Sequence, residues 1–451
     1  MNLFRGTLSS LRWRTRLTLW GAAGMAGLVV VGFAKLADLA LATFFHVTEG
    51  RPWLPFLLAP SIGMLVVWLT RRFAPGSQGS GIPQVIAATR EIALGRDVGT
   101  LVSMRIACGK VVFGALALVG GFSAGREGPS VQVAASIMHM AHRYLPHTRA
   151  LRAQDLILAG GAAGVAAAFN APLAGIVFAV EELGRRLETR TSGVLMSTII
   201  LSGFVAIALM GNYSYFGHLK AVGTQRSLFV PVAFCGILCG VLGGLFSSLL
   251  LWPQRVPDFF IWRLRRANPI LFAGACGITV ALIGWLGNGM SYGSGYAATS
   301  QVVLGELSVP WYASVTRYLA TLVSYYSGIP GGLFAPSLAV GGALGSTISP
   351  LLGLGPDAVP VVVLCMVGFL AAVTQSPITA AIIVMEMIDG HDMVISLMAV
   401  ALIARAVSSR IGPELYQQLA RDFREQPSGQ ELDPKNPIPS ENRISDVGKG
   451  R

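Results

Sequence analysis

Two carboxylates stand where an apolar chain has no packing use for them. Glu127 lies in "AGREGPS" (124–130), directly after the uncharged run Val111–Gly125, and Glu182 closes the uncharged run Leu156–Val180. A carboxylate at membrane depth costs about 2.5 kcal/mol or more on insertion scales, so function is the default reading for Glu127, while Glu182 at the end of its run could also be a helix-end acid facing water. The remaining candidate groups are neutral donors. "GSGIP" (79–83), "GREGP" (125–129) and "GGLFAP" (331–336) are glycine-containing loops, each followed by proline and a small-residue or apolar stretch. Proline favours the first helical position, where its missing N–H would be unpaired anyway, so all three read as helix starts. The unpaired N–H groups and positive dipole end of a helix start attract anions, and glycine lets the backbone come close. Three such starts converging near mid-membrane would hold a small anion without a full positive charge. Weak holding suits an ion that must also leave.

The elements that must position these groups follow from composition. The chain of 451 residues is 53% hydrophobic and 12% charged, with a mean hydropathy of +0.62. This is the balance of an all-α polytopic membrane protein. Uncharged runs at Leu17–Ala34, Leu156–Val180, Thr191–Leu219, Ser227–Gln254, Ala267–Gly305, Tyr318–Pro356 and Ala358–Met385 are each long enough for one crossing or more. Ten or more helices are expected, some of them broken or tilted by Gly and Pro. Broken helices at membrane depth are tolerated only where they line a cavity or are buried in protein.

The net charge of +12 arises from basic residues beside the apolar runs: Arg5, Arg12, Arg14 and Arg16, Arg71 and Arg72, Arg185 and Arg186, and Arg263, Arg265 and Arg266. They read as a topology signal that puts the N-terminus in the cytoplasm, and not as a nucleic-acid footprint. The first apolar run is too long for a cleavable signal peptide and is expected to be retained. Cys108, Cys235, Cys239, Cys276 and Cys365 lie in or beside apolar runs and read as buried packing residues, with no disulfide framework and no metal site. An enzyme is not expected. The nearest approach to a zinc-protease motif is His139 and His142, which lack the glutamate and the spacing. No histidine stands in the core of an uncharged run to activate Ser80, and neither a Walker A nor a dinucleotide fingerprint is present. No cofactor is implied.

An internal echo divides the chain. "VAAAFNAPLAGIVFAVEE" (165–182) aligns with "LAAVTQSPITAAIIVMEM" (370–387) at an offset of 205, pairing Pro172 with Pro377 and Glu181 with Glu386. "GPSVQVAASI" (128–137) likewise echoes "APSLAVGGAL" (335–344). The expected organisation is a cytoplasmic N-terminus with the start of the first helix (1–34), two membrane repeats (35–215 and 228–420) and a flexible polar tail (421–451). Transporter repeats of this size are often inverted, with the binding site where they meet.

The three loops in this order, with "AAAFNAPLAGIVFAVEE" and "ELYQQLAR", resemble the CLC family of chloride channels and chloride/proton antiporters, bacterial type without CBS domains. The resemblance runs from about residue 35 to 420. It implies two inverted repeats of tilted and broken helices, a homodimer with one pathway per subunit, and a multi-pass place in the bacterial inner membrane among its lipids. It also implies roles. Glu127 matches the gate whose ionised side chain competes with chloride for an anion site, and Glu182 matches the inner proton acceptor. Ser80 and Tyr416 match the hydroxyls that coordinate chloride, and Leu333 and Phe334 the backbone donors. Gly79, Gly81, Gly128 and Arg126 support the loops, and Lys110 matches a lysine that raises the local positive potential, snorkels or pairs with an acid. Read alone, Ser80 could be a helix cap, Tyr416 an interfacial anchor, Glu182 a water-facing helix-end acid, and Glu127 half of a fixed pair with Arg126. The intact GSGIP and Tyr416 resemble the chloride-selective pattern. The chain departs from bacterial relatives in having no acid between GSGIP and Glu91. The expected function is chloride/proton exchange; the alternative is a passive voltage- or pH-gated chloride channel.

Overall fold

Proline and glycine cut the apolar chain into helices of very unequal length. The computed structural model describes residues 2–145, 152–184, 192–211, 216, 229–352 and 359–423. In chain order its helices are α1 (Asn2–Thr48), α2 (Pro55–Phe73), α3 (Ile82–Ala93), α4 (Met104–Val119), α5 (Glu127–Ala141), α6 (Ala153–Phe169), α7 (Pro172–Phe178), α8 (Ser192–Met210), α9 (Phe229–Leu250), α10 (Trp252–Arg255), α11 (Phe260–Ala267), α12 (Pro269–Leu286), α13 (Tyr296–Val303), α14 (Tyr312–Tyr326), α15 (Phe334–Ile348), α16 (Val359–Thr374), α17 (Pro377–Ile388), α18 (Val394–Ile411) and α19 (Leu415–Asp422). Among the described residues the fold is all-helical, with two isolated backbone bridges and no strand.

Among the described residues seven helical segments are long and apolar enough to cross a bilayer, so the protein is a multi-pass membrane protein. α3, α7 and α17, of 12, 7 and 12 residues, fall well short of the roughly 20 that a crossing needs. These short pieces are the broken helices that the sequence announced.

The repeat is visible in the breaks themselves. α6 ends at Asn170 and α16 at Gln375, both non-glycine residues held at positive φ, and each is followed two residues later by the proline that opens α7 or α17. The carboxylate of Glu386, near the end of α17, accepts from the backbone N–H groups of Leu173 (3.2 Å) and Ala174 (2.7 Å) at the start of α7. Glu181 does the same for Ile378 (3.2 Å) and Thr379 (2.6 Å) at the start of α17. Each end of one helix therefore caps the beginning of the other, so α7 and α17 run antiparallel. Equivalent helices running in opposite directions are what an inverted repeat produces. Glu386→Gln is expected to lower stability by about 1–2 kcal/mol, the value of a partly buried charged cap. The readout is a lower thermal transition of the detergent-solubilised protein; an unchanged one would mean that the cap contributes nothing.

Close packing comes from small residues, as membrane interfaces require. On α6, a Cβ at Gly160 or Gly164 would come within 2.6 Å of α5 backbone oxygens. Gly345 of α15 meets Val362 of α16 at 2.5 Å in the same way, and Gly341 abuts Cys365. α2 and α12 pack antiparallel, with Gly277 against Ala59 and Gly274 against Met64. Arg71 and Arg72 at the end of α2 therefore share one side of the membrane with Arg263, Arg265 and Arg266 just before α12. The positive-inside rule makes that side cytoplasmic.

Two sequence expectations change. Residue 34 lies within the first helix, α1, which continues to Thr48. Cys108 is exposed, while Cys235, Cys239, Cys276 and Cys365 are buried and unbridged. The loop prolines are not at the first helical position: α3 starts one residue before Pro83, and α5 and α15 start two residues before Pro129 and Pro336. They still lie in the first turn, where no N–H is needed. Apart from Phe216, the stretch 212–228 between the two expected repeats lies outside the described residues, as do residues 424–451 of the expected tail.

Candidate anion and proton site

Lys110 builds the first loop. It sits on α4, is fully buried, and its ammonium donates to the carbonyls of Ser77 (2.8 Å), Gly79 (2.7 Å) and Gln78 (3.4 Å). Of the readings open in the sequence, snorkelling and pairing with an acid both give way to this capture of three carbonyls. Lys110→Met is expected to destabilise the protein by about 3 kcal/mol or more, because three carbonyls gathered around one buried cation lose the charge that holds them together. The check is folded yield and thermal transition in detergent, with chloride flux as a second readout.

The third loop joins the other two. Gly79 and Gly331 exchange backbone bonds with this segment (Gly79 N–H to Ile329 O and Gly331 N–H to Gly79 O, both 3.0 Å). Gly125 and Gly332 bond reciprocally at 2.8 and 2.7 Å. The starts of α3, α5 and α15 thus meet at one place. Two glycines make the approach possible. Gly81 holds φ at 100°, and a Cβ on Gly128 would lie 2.5 Å from the Ser80 hydroxyl.

Into this meeting point project two hydroxyls. The hydroxyls of Ser80 and Tyr416 are buried and lie near each other, and neither makes a well-formed hydrogen bond to any described residue. Buried hydroxyls are normally satisfied, so a pair left open marks a place for a ligand. Ser80 is not a cap, because Gly81 occupies the N-cap of α3, and Tyr416 is not an interfacial anchor, because it is wholly buried. The Phe334 ring stands 6.0 Å from that of Tyr416, edge to face. At the start of α15, Leu333 is the N-cap and Phe334 the first helical residue, and the helical bonding begins only with Ser337 N–H to Leu333 O. The N–H groups of Leu333 and Phe334 are therefore not engaged by the helix.

Glu127 is the first residue of α5 and is buried, with its carboxylate folded against Gly125. The neighbouring Arg126 turns toward α1, donating to Ala34 O (2.7 Å) and pairing with Asp38 (2.5 Å). Glu182 lies on a single π-helical turn, Ala179–Gly184, that extends α7. It is buried, which excludes the water-facing reading, and accepts a hydrogen bond from the Ser376 hydroxyl. Its backbone carbonyl accepts from Gln417 (3.1 Å), which in turn accepts from Arg90. Arg185 and Arg186 lie outside the described residues. Tyr416, next to Gln417, lies within electrostatic reach of both Glu182 and Glu127.

Asp38, Ser376 and Gln417 were not singled out from sequence. Asp38 had a signal, being the only acid in the apolar part of α1. Ser376 stands where the repeat has Ala171, and Gln417 adjoins Tyr416, but neither position alone says what it touches.

The profile of the voltage gated chloride channels matches residues 62–409, a span that includes all three loops and both acids. The chain belongs to this family. Among curated relatives it is 29% identical to the H(+)/Cl(-) exchange transporter ClcA of Salmonella paratyphi A, over 93% of this chain and 90% of that one. It is 31% identical to the ClcA of Cronobacter sakazakii, over 89% and 88%. Among solved structures, a slow cyanobacterial Cl-/H+ antiporter superposes with a TM-score of 0.78 at 26% identity, covering 92% of this chain and 99% of that one. A CLC-type fluoride/proton antiporter shares the fold, with a TM-score of 0.75 at 23% identity. The two inverted repeats are the architecture of this family.

Proposed function

We propose that the protein exchanges chloride for protons across the bacterial inner membrane. The observation that carries this reading is a buried carboxylate, Glu127, at the junction of three helix starts, where the hydroxyls of Ser80 and Tyr416 also meet. Such a junction favours one negative charge and tolerates two poorly, so carboxylate and chloride compete for it. Protonation of Glu127 removes its claim and admits chloride; deprotonation returns the side chain and expels the ion. Ser80, Tyr416 and the N–H groups of Leu333 and Phe334 hold chloride by hydrogen bonds alone, which permits release. Gly79, Gly81 and Gly128 allow the loops to close in, and Lys110 and Arg126 fix them from behind.

A second buried acid supports exchange over passive conduction. Glu182 stands behind Tyr416, at the end of α7, and supplies a proton acceptor apart from the anion junction. The relatives named for H(+)/Cl(-) exchange favour the same reading.

The working unit in this proposal is a homodimer with one pathway per subunit, set in membrane lipid. α8, α7, α17 and α18 stand side by side and leave Phe204, Leu173, Ile378 and Ile395 exposed. The same face carries the half-buried caps Glu181 and Glu386 and two broken helix ends. Lipid solvates such backbone poorly, and a second copy would cover it.

The test is proton movement in liposomes containing the purified protein, under a chloride gradient with voltage held by potassium and valinomycin. Protons driven uphill by chloride are the expected result. Chloride flux without them would make the protein a channel.

A further inference from the structure

We infer that Arg265 forms an outlying capture point for small monovalent anions at the cytoplasmic mouth of the pathway, ahead of Ser80 and Tyr416. This rests on the chloride reading of the central site. The short helix α11 is held by Trp262, which is buried against Tyr326 (ring centroids 4.9 Å apart) and near Phe272 and Trp252. That anchorage turns Arg265 inward. Its guanidinium comes within 3.9 Å of where a Cβ on Gly328 would stand, beside Tyr325 and Tyr326.

Both neighbours lead to the central site. Gly328 precedes Ile329, whose carbonyl receives the Gly79 N–H, and the Tyr325 ring lies 3.8 Å from the Cβ position of Gly79. Arg265 is thus one layer of residues from the loop that carries Ser80, on the side that the arginine distribution makes cytoplasmic.

The other arginines of α11 are disposed differently. Arg266 pairs with Asp258 (3.5 Å) and donates to Pro257 O (2.7 Å), and Arg263 is exposed to solvent. Arg265 makes no hydrogen bond or ion pair among the described residues, although it is only partly accessible. A guanidinium has five donors and stays charged, so its field at this spot is not cancelled by a local carboxylate. A fixed positive charge that is partly withdrawn from solvent concentrates anions near it, and because Arg265 is not wholly enclosed they can move on.

The test is exchange of radiolabelled chloride in liposomes at rising chloride, equal on both sides, with ionic strength set by a bulky impermeant anion. Arg265→Gln is expected to raise the half-saturating chloride concentration about fourfold at low ionic strength, the effect of one charge roughly 10 Å away in a partly aqueous medium. The difference should shrink as salt is added. Limiting rate and proton coupling should not change, and Arg265→Lys should restore most of the apparent affinity. Arg263→Gln is the control. An unshifted half-saturation in Arg265→Gln, or an equal shift in Arg263→Gln, overturns the proposal and leaves the exchange reading intact. Chloride exchange without proton coupling in the wild type sinks only the exchange reading. A wild type that carries no chloride sinks both.

Discussion

Glu127→Ala is expected to keep moving chloride while losing all chloride-driven proton transport. The argument rests on where the side chain lies. Glu127 opens α5, folds over Gly125, and shares its surroundings with the open hydroxyl of Ser80 across Gly128. Alanine removes the one group there that can carry a proton and compete for the anion's place, but leaves Lys110, the three helix starts and the Gly125–Gly332 bridge as they are. Chloride should therefore bind without displacing a carboxylate. The wild type should pass chloride faster as pH falls, because protonation is what clears the site, and Glu127→Ala should lose that dependence. The measurements are uphill proton movement and chloride flux against pH in the same liposomes. Retained proton pumping in Glu127→Ala would remove the gate role from this residue.

Some of this arrangement was legible because its parts are local. Each helix-start loop is contiguous, and its glycines and proline state the conformation that the backbone must take. Glu127 and Glu182 stood out because a carboxylate beside a long uncharged run is costly, but burial and partners were needed to set aside a fixed pair with Arg126 and a water-facing helix end. The repeat could be read from Pro172 and Pro377, and Glu181 and Glu386 were matched before their contact was known. What the alignment could not carry was that each acid caps the other repeat's helix, since equivalence in sequence says nothing about proximity. The same limit hid Asp38, 88 residues from the arginine it holds, and Ser376, 194 residues from Glu182. Lys110 shows a different limit: burial, not residue type, decided among its possible roles. Arg265 sat in a basic cluster that read only as topology, and side-chain direction separated it from Arg263 and Arg266.

Glu182→Gln is expected to leave chloride exchange running and to abolish uphill proton transport. Two adjacent acids are available at the end of α7, and their contacts divide the work. Both oxygens of Glu181 are taken by the N–H groups of Ile378 and Thr379, so adding a proton there would weaken the cap of α17. Glu182 is buried beside Ser376, a hydroxyl that can donate to a carboxylate or accept from a carboxylic acid, so it can change protonation without breaking a helix start. It also faces the helix that bears Tyr416, through Gln417. Glutamine keeps the acceptor oxygen for Ser376 and the side-chain volume, so thermal stability in detergent should change little. A folded Glu182→Gln protein that still pumps protons would shift the inner acceptor elsewhere, and Glu181→Gln would be the next variant to examine. If instead Glu182→Gln stops proton coupling while Glu181→Gln lowers stability and keeps coupling, the cap and the proton acceptor are separate functions of neighbouring residues.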